Sequence, residues 1–190
     1  MPLPVAHSMM GYVLHDTLPQ ERKLTTWKSL LLFVLLANLP DIDFLPGLIL
    51  GKPNLFHRHY LSHSLGISVM VGFVFAMFTC HNKREKLFTH FLIFTSVYFS
   101  HVFLDAFSFD TAQPVGVPML WPFSQEYIVS PFPIFIAVKK SNNSATFFQN
   151  LFIMHNLGAA LWEFLVFVPV VSIIKLAKHR KTLFRVIFER

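Results

Sequence analysis

The sequence predicts an all-α fold, a polytopic helical membrane bundle with short re-entrant or interfacial helices. Composition is the first observation. Of the 190 residues 54% are hydrophobic and only 14% charged, and the mean hydropathy is +0.53. Soluble domains carry about 25% charged residues, so the deficit points to lipid as the solvent. Patterning is the second: the basic residues fall in short clusters between apolar runs. Run length is the third. Ser64 to Cys80 holds 17 residues without a charge, about 26 Å at helical rise. The length suits one membrane-embedded domain over 1–190, with no room for a large soluble domain beside it.

Taken in order, Pro4 to Leu18 is mildly apolar and reads as a helix too short to span fully. Trp27 to Asn38 is a second helix. It ends in the break Leu39-Pro40-Asp41-Ile42-Asp43, because proline removes a donor and ends or kinks a helix, and a short return follows through Phe44 to Leu50. Ser64 to Cys80 is the cleanest span, and Leu87 to Phe109 is the next, with Asp105 its only formal charge. The basic connection Lys83, Arg84, Lys86 makes these two an antiparallel hairpin. From Asp110 to Ser144, Pro114, Pro118, Pro122, Pro131 and Pro133 exclude a continuous helix. Trp121, Phe123, Tyr127, Phe132 and Phe135 suit a loop and re-entrant segment at the interface. Phe147 to Ile174 is the last long helix, with Pro169 a candidate kink. Residues 175–190 form a basic amphipathic tail on an anionic leaflet.

The net charge of +6 and the pI near 9.6 raise nucleic acid as a partner, but the distribution argues against it. Arg22, Lys23 and Lys28, then Lys83, Arg84 and Lys86, then Lys175 to Arg190 mark loops that stay cytoplasmic. The predicted partner is membrane lipid, with no nucleic acid. The lone cysteine, Cys80, allows no intramolecular disulfide and reads as a small buried hydrophobe. Met1 to His15 lacks the features of a removable signal peptide.

Counted outward from the basic clusters at about 1.5 Å per residue, the polar residues collect at the opposite face. Asp41 lies roughly 20 Å from Lys28, His63 roughly 30 Å from Lys83, and His101 and Asp105 roughly 22 and 28 Å from Lys86. His7, Asp43, His57 and His59 fall on the same side. His101 and Asp105 are four apart, on one helix face, as are His59 and His63. Ionisable groups at membrane depth are costly and normally pair, line water or bind ions. Histidine with carboxylate suits zinc, manganese or iron(II).

Plainer readings stand beside these. His15, His81, His90 and His179 read as interface anchors or hydrogen-bond partners. Asp41 could cap the helix after Pro40, and Asp43 could pair with Arg58. His155 and Glu163 remain open between structure and function.

His57-Arg58-His59-Tyr60-Leu61-Ser62-His63-Ser64, taken with Leu39-Pro40-Asp41-Ile42-Asp43, His101-Val102-Phe103-Leu104-Asp105 and His7, resembles a bacterial family of small membrane-bound, metal-dependent hydrolases. These are inner-membrane proteins, some regulated by the LexA repressor. In motif style the set is similar to the all-helical zinc-dependent phospholipase C and P1 nuclease group. The resemblance covers roughly His7 to Trp121. His59 stands where the family typically has glycine, and Ser62 where it has threonine. The resemblance implies His7, Asp41, Asp43, His57, His63, His101 and Asp105 as metal ligands or their supports, with Arg58 holding an anionic oxygen.

The expected function is metal-dependent hydrolysis of a phosphoester in a lipid or other amphiphile, in the inner membrane, with the active face non-cytoplasmic. The divalent ion, zinc before manganese or iron, acidifies a bound water to a pKa of about 7. Asp41 or Asp43 orients or deprotonates that water. The alternatives are a metal-ion or proton-coupled transporter and a non-catalytic membrane protein. A transporter would ordinarily show internal repeats and more spans.

Overall fold

The computed structural model describes residues 1–18, 26–56, 62–80, 84–110 and 113–188. Seven α-helices are present among them: α1 Pro4–Thr17, α2 Thr26–Asn38, α3 Phe44–Ile49, α4 Leu65–Thr79, α5 Leu87–Ala106, α6 Ser144–Leu151 and α7 Met154–Phe188. No strand occurs among the described residues. Isolated bridges join Ser108 to Phe135 and Val117 to Ile128. Three segments are long and apolar enough to cross a membrane: Trp27–Ile49, Leu87–Ala106 and Met154–Arg180.

The break after α2 is a 3-10 turn, Leu39–Asp43, that leads straight into α3. The expected interruption is thus a tightened stretch of one helical segment. Neither Asp41 nor Asp43 caps it, because no side-chain cap bond forms at either junction. Both carboxylates are left to turn elsewhere.

α4 and α5 pack as the expected pair. At Gly72 a Cβ would come 2.1 Å from Thr95 Oγ1 and 2.6 Å from Thr95 N, so only glycine lets the two backbones come this close. Phe33, Leu36 and Ala37 of α2 close a buried core with Ala76 of α4 and Phe94, Val97 and Tyr98 of α5. α4 is shorter than the 17-residue reading. Ser64 caps it, accepting from Ile67 N at 3.3 Å, and it ends at Thr79. Its 15 residues reach roughly 22 Å, less than a hydrocarbon core of about 30 Å.

α5 also stops early, at Ala106. Ser108 turns its hydroxyl back to Asp105 O, and Phe109 N bonds Phe135 O, drawing the chain into the following segment. Residues 113–143 contain no helix and form a strap across the bundle. Met119 O and Trp121 O accept from Leu65 N and Gly66 N at the start of α4. Ser130 N donates to Ala106 O.

The predicted helix over Phe147 to Ile174 is two helices. Asn156 Nδ2 donates to Asn150 O at 2.8 Å, taking the carbonyl that Met154 N would use in an unbroken helix. α6 ends there, and α7 begins at Met154. The tail at 175 is no separate element: nothing between Val170 and Phe188 is glycine or proline, and α7 runs through without interruption.

α1 lies along α7 and runs parallel to it. Leu3 and Ala6 meet Glu163, Tyr12 meets Lys175, and Asp16 meets Lys178. Ala6 and Val13 of α1 share a core with Leu104, Phe135 and Phe167. α1 thereby sits between α2, α5 and α7, with His7 facing inward.

Candidate metal centre

Four segments deliver side chains to one buried place. α1 brings His7, the 3-10 turn brings Asp41 and Asp43, the entrance to α4 brings Ser62 and His63, and α5 brings His101 and Asp105. His7, His63 and His101 are fully buried and Asp105 nearly so. Asp41 and Asp43 are the partly open members, with side chains 18% and 10% exposed.

His101 Nδ1 lies 2.8 Å from Ala37 O. A carbonyl only accepts, so Nδ1 carries the proton. In the neutral ring the Nε2 lone pair then points at the centre. On His63 the orientation comes from a chain of two bonds. Ser62 Oγ donates to Asp43 Oδ2 at 2.6 Å and lies 2.8 Å from His63 Nδ1, whose N–H it accepts. Asp43 Oδ2 stands 3.3 Å from the same nitrogen. His63 Nε2 is left facing His101 Nε2 at 3.3 Å. Tyr98 Oη fixes the turn by donating to Ser62 O at 3.0 Å. A histidine whose far nitrogen is held by a carbonyl or carboxylate is the usual form of a metal-ligating one.

Asp105 Oδ2 completes a triangle, 3.2 Å from His63 Nε2 and 3.4 Å from His101 Nε2. Asp41 Oδ1 stands further off, at 3.6 Å from His101 Nε2 and 3.8 Å from His63 Nε2. His7 stacks on His101 with ring centroids 3.6 Å apart, and its Nε2 is 3.6 Å from Asp105 Oδ1. Both His7 nitrogens, both Asp105 oxygens and Asp41 Oδ1 are buried without a hydrogen-bond partner. Orphaned polar atoms at this depth are costly, and a cation bound here would satisfy several of them at once.

The donor set fits a divalent metal ion. His7, His101 and Asp105 form one group with the required proximity, and Asp41, His63 and His101 form another. A tetrahedral ion with bonds of about 2.0–2.1 Å separates its donors by about 3.3 Å, and the His63–His101–Asp105 triangle has sides of 3.2–3.4 Å.

Two imidazoles outside the spanning helices respond in opposite ways. Burial opposes charge on His63, but the carboxylates of Asp105, Asp41 and Asp43 around it outweigh that and hold the imidazole well above its ordinary range. For His7 burial dominates, with repulsion from His101 next, and the imidazole is pushed down to about 3. His7 is therefore neutral at pH 7 and keeps a lone pair.

Of the residues singled out by sequence, His7, Asp41, Asp43, His63, His101 and Asp105 come together here. Asp43 meets the far nitrogen of His63, on the side away from the cluster's centre. His57 and Arg58, together with His59, lie outside the described residues, so the Asp43–Arg58 pairing does too. His155 is exposed, its Nε2 2.9 Å from Ala137 O. His15 meets Ser29 Oγ, and His90 meets Lys86 O at the other end of α5. A cleft of about 660 Å³ between residues 133–139 and α7 contains none of the cluster.

Sequence reasoning passed over Ser62 as a relay, Ala37 as a carbonyl partner and Lys140 altogether. Lys140 stands within electrostatic reach of Asp41. Its place follows from the strap: buried Asn156 accepts from Lys139 N and donates to Lys139 O, both at 2.9 Å. Beyond it, Asn142 bonds Asn54, and Ser144 Oγ donates to Leu48 O.

No curated protein and no solved structure matches the chain. A family model does, over residues 1–181, and its description names an inner membrane protein without an activity. With that match spanning nearly the whole chain and three helices able to cross a bilayer, the chain belongs to the YdjM inner membrane protein family.

Proposed function

We propose that the chain is a membrane-embedded, metal-dependent hydrolase of an amphiphilic phosphoester, a single domain with one zinc ion at its centre. The observation that carries this reading is the convergence of buried His63, from the entrance to α4, with His101 and Asp105 of α5, at the spacing of a tetrahedral ligand set. His63, His101 and Asp105 would hold the ion. Three protein ligands and one open position is the catalytic pattern of zinc sites. Asp41 stands slightly outside the triangle, on the partly exposed side, where that open position would lie.

When bound, the ion supplies Lewis acidity, acidifying water and offsetting charge on a phosphoryl oxygen. Asp41 orients the attacking water and takes its proton at a carboxylate oxygen. Asp43, through Ser62, keeps His63 in one tautomer, and the Ala37 carbonyl does the same for His101. Lys140 supplies positive charge beside Asp41, where an anionic group would arrive. The resemblance drawn from the sequence gives Arg58 a similar task. The apolar outer surfaces of the bundle favour a substrate that carries acyl or isoprenoid chains.

Protein purified in detergent without chelator should contain about one equivalent of zinc and cleave phosphodiesters from a lipid panel. Chelation and His101→Ala should each abolish cleavage. Activity indifferent to both removes the reading.

A further inference from the structure

α1 has no N-terminal cap of its own: Leu3 occupies the cap position and no side-chain cap bond forms. Its terminal N–H groups are met instead by a carboxylate from another helix. Glu163 Oε1 accepts from Leu3 N at 2.5 Å, and Oε2 accepts from Ala6 N at 2.9 Å. Glu163 is fully buried, well inside the candidate span Met154–Arg180. Helix-terminal N–H groups at membrane depth have no water to turn to, so each must find a partner in the protein. A serine or aspartate at position 3 would supply one locally. The fold instead buries a carboxylate on α7, within electrostatic reach of Asp105.

We propose that Glu163 is a positioning residue for the metal centre, fixing the register of α1 so that His7 meets Asp105 and His101. The proposal rests on the metal-centre reading above. Ala6, whose N–H is bound, directly precedes His7. A slip of one residue along α1 would turn His7 by about 100° around the helix. His7 has no hydrogen bond of its own to hold it; its stacking on His101 depends on where α1 is placed.

The test is a double-mutant cycle on zinc affinity, measured by competition with a chromophoric chelator. Glu163→Ala should weaken zinc binding about tenfold or more, the scale at which supports of ligands act. Glu163→Gln, which keeps one acceptor in place, should recover part of that loss. His7→Ala should weaken binding by itself, because it removes the ring that stacks on His101 and lies beside Asp105, two of the proposed ligands. Because Glu163 acts through His7, the double variant should bind zinc no more weakly than His7→Ala alone. Zinc affinity unchanged in Glu163→Ala overturns the proposal, as do losses that add in full.

A metal-free arm separates this outcome from failure of the hydrolase reading. In histidine-labelled protein without added metal, the His7 ring resonances should move in Glu163→Ala. Unmoved His7 resonances overturn the positioning role. A wild-type protein that takes up no zinc while those resonances do move removes the metal centre and the hydrolase reading with it, and leaves Glu163 setting only the register of α1.

Discussion

α5 and α7 are both long and apolar enough to cross a bilayer, yet 39% of the best window of α5 is buried inside the protein against 17% for α7. α5 is the hub, touching α1, α2 and α4, and its polar residues His101 and Asp105 meet side chains from three other segments. α7 is an outer wall, and its buried polar residues serve backbone. Glu163 holds the start of α1, and Asn156 holds Lys139. In lipid, the polar side chains on the central helix gather against other polar side chains. On the peripheral helix they satisfy the chain ends and loops that water would otherwise solvate.

The sharpest way to break that contrast is on α5. Asp105→Ala should cost zinc affinity at least about a hundredfold, since it removes a ligand rather than its support. Zinc titration of the purified variant checks it, and near-wild-type affinity would place the ion elsewhere. Next comes α7. Asn156→Ala orphans Lys139 N–H and C=O and should lower stability by about 1–3 kcal/mol, read as a lower melting temperature. Its zinc affinity should stay within about threefold of wild type; a larger fall would mean that the wall and the hub are not separable.

A smaller effect comes from pH in the metal-free protein. His63 has a raised folded pKa, so its stabilisation is complete below the unfolded value of about 6.5 and is lost as pH climbs through the folded value. His7 is the reverse case: pushed down to about 3, it contributes stability above about pH 6.5 that is lost as pH falls. Together these two groups place the metal-free maximum near pH 6.5, and bound zinc should shift it upward by displacing the His63 proton. Melting curves from pH 5 to 9, with and without zinc, check both signs. The smallest effect belongs to the outer face of α7. Leu161, 60% exposed, should tolerate alanine within about 0.5 kcal/mol.

Much of the centre was legible because helical periodicity is local. The four-residue spacing of His101 and Asp105 puts them on one face whatever packs against it, and the basic clusters set which ends lie together. The supports were not legible. Ala37 contributes only a carbonyl, which every residue has, and Ser62 matters only once Asp43 and His63 are beside it. Glu163 could be placed at depth, but its partners are backbone groups about 160 residues away in sequence. The division between α6 and α7 was hidden for the same reason, since the side chain that ends α6 is answering the strap. The continuous course of α7 past Lys175 was misread the other way. A change in polarity from apolar to basic suggested a boundary, but polarity does not end a helix, and no glycine or proline interrupts the backbone past Val170.

The contact at Gly72 also has a consequence for the imidazoles. His63 enters α4 and His101 rides on α5, so the gap between them is set by how closely those two helices lie. A single methyl group at position 72 would be a wedge driven between two rods, and the ligand triangle would widen with them. Glycine at position 72 thus helps set the spacing of the side chains in the candidate centre.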